Sequence, residues 1–98
     1  MFETIRNAKL MEVGSLRRSI HYSSIYIKFK IENDKCFWFE ISVNNSIPEN
    51  LVLLHDFSEK TVCKIGMKMT LNYEIKQSRN KSTKLYIRSY KITDSNIS

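Results

Sequence analysis

Glycine and proline are scarce: the 98 residues hold Gly14, Gly66 and a single proline, Pro48. Two glycines so far apart cannot form a loop that cradles phosphate by close backbone approach, so the usual nucleotide-binding motifs are excluded. Cysteine is equally thin. Cys36 and Cys63 stand alone, without the paired spacing of a zinc site or the density of a disulfide framework, and both are expected to be buried reduced thiols. The two histidines, His21 and His55, lack metal-ligand spacing. Neither a metal nor any other cofactor is expected.

Long apolar runs are also missing. Nothing approaches the roughly 20 residues needed to span a bilayer, and the opening MFETIRNAKL lacks the uninterrupted apolar core of a signal peptide. The expectation is a cytoplasmic chain with no membrane partner. Catalytic groupings fail in the same way. Glu40, Asp56, Glu59 and Glu74 show no paired-carboxylate arrangement, and neither cysteine has an activating histidine close in sequence, so the chain is not expected to be an enzyme.

Acidic residues are the minority charge, 10 against 16 Lys and Arg, for a net charge of +6. The natural partner is an anion: a nucleic acid, an acidic protein or a membrane surface. The imbalance is local. Between Ile75 and Asp94 lie Lys76, Arg79, Lys81, Lys84, Arg88 and Lys91 with no carboxylate among them. Most of this charge falls in KQSRNKSTK, Lys76 to Lys84, an apolar-free segment that reads as a nucleic-acid contact between two strands.

What the sequence does have is alternation. Ile25, Ile27, Phe29 and Ile31 fall on one face of a strand from Ser24 to Ile31, with Tyr26, Lys28 and Lys30 on the other. ENDK, Glu32 to Lys35, supplies a turn. From Cys36 to Val43 the apolar face holds Phe37, Phe39, Ile41 and Val43, while Cys36, Trp38, Glu40 and Ser42 lie opposite, so Trp38 is off the core face. Ile5 to Val13 alternates more loosely and ends at Gly14, which suggests a bend or bulge there. Ser15 to Ser23, SLRRSIHYS, has mixed polarity and no clear period and reads as a loop able to extend the flanking strands.

Asn44 to Ile65 breaks the period and fits a short helix, beginning either at Pro48, which suits a first turn, or at Glu59 with Ser58 as cap. Leu51, Leu54, Val62 and Ile65 are its expected core residues. Met67 to Lys76 and Leu85 to Ile92 then form a long hairpin. At 98 residues a single domain is expected over 1–98, with 95–98 a frayed tail.

The order β-β-β-α-β-β in a chain of this size points to an all-β architecture. The economical solution is the five-stranded OB-fold barrel, with one short helix between strands three and four. IRNAKLMEVGSL followed by SIYIKFKIE, then FWFEISV, and above all CKIGMKMTLNYEIKQSRNKSTKLYIRSYKI, resemble the OB-fold single-stranded-DNA-binding family, including the small replication proteins of the primosomal protein N type. The resemblance covers nearly the whole chain as a pattern. It favours single-stranded DNA over RNA and implies an accessory role in DNA replication.

An OB-fold uses the face of its second and third strands, flanked by the loops between strands one and two and between strands four and five. Those segments hold Arg17, Arg18, His21 and Tyr22 in the first loop, Tyr26, Lys28 and Lys30 on the second strand, and Trp38 on the third. Lys76, Arg79, Lys81, Lys84 and Arg88 belong to the last hairpin. Cations along phosphates and rings under bases are what single-strand binding requires. The plainer alternative is that Tyr26 and Trp38 cover the outside of a barrel whose lysines keep it soluble.

Another class of function is a protein-interaction adaptor, an accessory subunit of a polymerase, primase or helicase, since an exposed aromatic face serves a protein equally well. A weaker reading is a different small barrel that binds an anionic nucleotide or blocks another protein's nucleic-acid groove. An unpaired edge at Ile5 to Val13 or Leu85 to Ile92 would also allow a homodimer.

Overall fold

Side chains of opposite character on the two faces of each strand produce a wall that is apolar inside and polar outside. In the computed structural model, which describes residues 1–59, 61–80 and 82–95, that wall is closed. The elements are β1 (Phe2–Val13), β2 (Arg17–Arg18), β3 (Tyr22–Lys30), a 3-10 turn (Glu32–Asp34), β4 (Cys36–Asn44), α1 (Pro48–Ser58), β5 (Lys68–Gln77) and β6 (Thr83–Asp94). The five long strands run in the order β1-β5-β6-β4-β3 and return to β1, while β2 is a two-residue ladder on the edge of β3. All pairings are antiparallel except β4 with β6, which touch in parallel at Glu40↔Tyr86. This is the OB-fold barrel that the alternation and the resemblance suggest.

Closure depends on β1, which serves two neighbours. Its first part pairs with β5 from Phe2↔Glu74 to Lys9↔Lys68, and its second with β3 from Lys9↔Lys30 to Val13↔Ile27. The strand must bend to do so. Register slips occur between Ile5 and Ala8 and again between Leu10 and Glu12, and Asn7 has a φ of 58°, a left-handed conformation that asparagine tolerates better than most residues. The bend expected at Gly14 is therefore at Asn7. Gly14 instead permits a close approach between strands. Its N–H donates to the Tyr26 carbonyl at 2.8 Å, and a Cβ there would sit 3.0 Å from that oxygen.

The core is set by the inward positions. Ile25, Ile27 and Phe29 of β3, Phe39, Ile41 and Val43 of β4, Ala8 and Leu10 of β1, Met69 and Leu71 of β5 and Ile87 of β6 are all buried. Phe29 and Phe39 meet edge to face at 5.6 Å. The helix starts at Pro48, whose missing N–H costs nothing in a first turn, and Ser58 is its last residue rather than its cap. Leu54 and Phe57, three positions apart, face the barrel. Phe57 sits edge-on to Phe29 at 6.1 Å and to Tyr90 at 5.1 Å, and the Tyr90 hydroxyl donates to Asp56 Oδ2 at 2.7 Å. Thus α1 fills the gap where β6 leaves β4.

Several expectations need correcting. Val62 and Ile65 are 44% and 50% exposed, because the chain after α1 turns Cys63 inward instead. Cys36 is exposed, on the outward face of β4, so only Cys63 is a buried thiol. Ser15 to Ser23 does extend a flanking strand, since β3 already begins at Tyr22, and what the expectation lacked is the short ladder of Arg17 and Arg18 with Ser24 and Ser23. The segment from Lys76 to Lys84 is ladder at its two ends only: Lys76 pairs with Lys84 and Gln77 with Thr83, and the tip closes by Ser78 N–H to the Ser82 carbonyl at 3.0 Å. Leu85 to Ile92 is paired to β5 along one edge and meets β4 on the other only at Tyr86, while β1 gains a second neighbour only from Lys9 onward. Residues 96–98 of the expected tail lie outside the described residues. No helix among the described residues is long and apolar enough to cross a membrane.

Phe57→Ala empties the junction between helix and barrel. It is expected to lower stability by about 3–5 kcal/mol, measured as a shift of the urea midpoint at unchanged slope.

Candidate nucleic-acid interface

One row of side chains crosses the outer wall from strand to strand. The register places Tyr26 of β3 beside Glu40 of β4, Glu40 beside Tyr86 of β6, and Tyr86 beside Glu74 of β5. Next to it Lys28 pairs with Trp38 across β3 and β4, and Lys84 pairs with Lys76 across β6 and β5. Each position faces outward because its neighbours Ile25, Ile27, Phe39, Ile41 and Ile87 face the core.

Every ring in this patch lies beneath a cation. The Arg17 guanidinium carbon is 6.0 Å from the centroid of Tyr26, and Lys28 Nζ is 5.9 Å from that of Trp38. Tyr86 has two cations, Lys76 Nζ at 5.5 Å and the Arg88 guanidinium carbon at 5.4 Å. Such contacts are worth only about 0.5–1 kcal/mol at exposed sites, so an arriving ligand can displace them cheaply. Trp38 is 47% exposed, and an open concavity of about 330 Å³ runs between Gly14, Ser15, Arg17, Tyr26 and Trp38.

Two carboxylates share the face. Glu74 Oε1 accepts from Arg88 Nε at 3.1 Å and Nη2 at 2.8 Å, and that bonding holds its pKa below the ordinary value. Glu40 is only 8% exposed. Its Oε1 has Lys84 Nζ at 4.0 Å and no hydrogen-bond partner among the described residues. Hydrogen bonding with the Glu40 carboxyl, followed by burial, raises the pKa of the Tyr26 phenol.

The fold gathers Arg17, Tyr26, Lys28, Trp38, Lys76, Lys84 and Arg88 on this surface and leaves others elsewhere. Lys30 forms an ion pair with Asp34 at 3.4 Å. It belongs to a cross-strand row with Lys9 and Lys68, lining a separate concavity of about 430 Å³. Arg18 lines a third hollow with Leu51, Leu54 and His55 and is apart from the rings. Tyr22 is exposed at the start of β3, two outward positions before Tyr26, and His21 is exposed beside it. Arg79 is exposed at the hairpin tip, and Lys81 lies outside the described residues.

Sequence reasoning passed over Tyr86, Glu40 and Glu74. The period that identified the other positions contained the signal for Tyr86, since Lys84, Tyr86 and Arg88 share one face. Among the described residues no group of three or more His, Cys, Asp or Glu side chains could hold a metal ion.

No protein-family model and no curated protein matches the chain. Solved structures do. A crystal structure of the mitochondrial single-stranded DNA-binding protein Rim1 of S. cerevisiae superposes with a TM-score of 0.64 at 10% identity, over 97% of this chain and 95% of that one. A second crystal form gives 0.57 at 11% identity, over 98% of each chain. At such identities the likeness is one of fold.

The Glu74 carboxylate supplies a test by pH. Its depressed pKa means that its ion pair with Arg88 stabilises the fold above the ordinary carboxylate range and is lost as pH falls through the folded-state value. Glu74→Gln is expected to flatten the acid limb of the stability profile by lowering the neutral plateau slightly, the pair being exposed, while leaving stability at the acid end unchanged, as read from urea midpoints across the acid range.

Proposed function

We propose that the chain binds single-stranded DNA across the outer face of β3, β4 and β6, as an accessory protein of DNA replication. The observation that carries this reading is the set of three outward rings, Tyr26, Trp38 and Tyr86, each covered by a cation. Bases take the rings, at about 1–3 kcal/mol per stack, and the displaced cations take the phosphates. Arg17, Lys28, Lys76 and Lys84 are the principal phosphate contacts, joined by Arg88 over Tyr86 and Arg79 at the hairpin tip, with Lys81 a further cation of the same stretch of sequence. The Rim1 likeness supports a barrel of the right kind, since that protein is a single-stranded DNA binder.

Lys30, Arg18 and Tyr22 are peripheral in this arrangement, reached only by a strand longer than the ring face. The accessory role would bring a polymerase, primase or helicase to the same complex. The exposed thiol of Cys36 suits a reducing compartment, and we assign the cytoplasm.

Titration with an oligonucleotide at low salt is expected to quench Trp38 fluorescence. The slope of log affinity against log salt should be roughly −3 if four cations each take a phosphate. Trp38→Ala should weaken binding of a labelled oligonucleotide by about 1–3 kcal/mol without unfolding the barrel, because the ring is half-exposed. Absence of any salt-dependent binding, together with retention of a protein partner, would favour an adaptor instead.

A further inference from the structure

A buried carboxylate at the centre of a face that receives a polyanion needs a reason. Glu40 lies between Tyr26 and Tyr86 in the cross-strand row, with its side chain 10% exposed. Burying a carboxylate oxygen without a hydrogen bond is costly, and Oε1 has none among the described residues. Its nearest cation, Lys84 Nζ, is 4.0 Å away on a side chain that is 49% exposed.

We infer that Glu40 is a base-reading residue, its Oε1 accepting a hydrogen bond from the exocyclic amino group of a base stacked between Tyr26 and Tyr86. The inference rests on the single-stranded-DNA reading above and adds base preference to it. A carboxylate only accepts hydrogen bonds, and it repels phosphate. The backbone must therefore follow the flanking cations while the bases turn toward the sheet. When Lys84 swings from Glu40 to a phosphate, Oε1 loses its nearest cation among the described residues, and a donor on the base takes that place, beside the Tyr26 phenol that already bonds with the carboxyl.

Cytosine meets this need through its 4-amino group, the pairing that a glutamate ordinarily makes with that base. Adenine and guanine carry amino groups as well. Uracil and thymine present a carbonyl at position 4, and their one ring N–H is flanked by two oxygens that a carboxylate repels. Stacking alone distinguishes cytosine from uracil little, because the two rings have nearly the same area. A preference between them reports on the hydrogen bond.

The test compares oligo(dC) with oligo(dU) of equal length, at low salt and mildly alkaline pH, by anisotropy of labelled strands. The wild-type chain is expected to bind oligo(dC) about tenfold more tightly. Glu40→Gln should bring the ratio close to one, since an amide both donates and accepts. Lys84→Ala should weaken both complexes and keep the ratio. Oligonucleotides of N4,N4-dimethylcytosine, which has no amino hydrogen, should bind the unaltered protein as weakly as oligo(dU), a result independent of how any variant folds. Equal affinity for oligo(dC) and oligo(dU), or a ratio that Glu40→Gln leaves unchanged, overturns the inference while the binding function stands. No binding of any oligonucleotide overturns the function itself, and the inference with it.

Discussion

The whole arrangement depends on one strand pairing with two neighbours. β1 closes the barrel by pairing first with β5 and then with β3, and it can change partners only because the chain slips register around Asn7 and again past Leu10. Closure removes the open sheet edge that would otherwise invite other strands over most of the wall. It also forces every inward side chain into one shared core, where Phe29, Phe39 and Phe57 interlock edge to face. The remaining gap, where β6 departs from β4 after a single parallel contact, is filled by α1 through Leu54 and Phe57.

The same closure produces the candidate site. Because β4 is flanked by β3 and β6, residues distant in sequence form one line, Tyr26, Glu40, Tyr86 and Glu74, on the outside of the wall. Arg17, held beside this line by the short β2 ladder, covers Tyr26 from one end, and Lys76 and Arg88 cover Tyr86 from the other. Rings with displaceable cations are suited to a ligand that brings both π-faces and phosphates. The two carboxylates differ in kind. Glu74 is satisfied by Arg88 and organises that cation, whereas Glu40 is buried with an oxygen that no described residue satisfies.

The alternation of Ile25 to Ile31 and of Phe37 to Val43 was enough to place the second and third long strands, to put Trp38 outside the core, and to suggest the barrel. It failed where a local feature had a tertiary cause. Gly14 looked like a bend, but its missing side chain lets the chain lie against the Tyr26 carbonyl. Val62 and Ile65 looked like core by their chemistry, yet the turn after α1 buries Cys63 in their place. The basic segment from Lys76 to Lys84 looked like a loop because it lacks apolar residues, although its ends continue the ladder and its polarity reflects strands projecting beyond the core.

Sequence alone determined the class of fold, the strand faces and the excess of cations, because each depends on residues two positions apart or on simple counts. Only the tertiary structure decided which cations meet which rings. Arg17 and Arg18 are adjacent, yet one covers Tyr26 and the other lines a hollow beside the helix. Lys28 and Lys30 share a strand face, yet one lies over Trp38 and the other pairs with Asp34. Tyr86 and Glu40 gained their importance from a single parallel contact between β4 and β6. Such a contact joins residues 46 positions apart and leaves no trace in local periodicity, since it exists only once the barrel has closed.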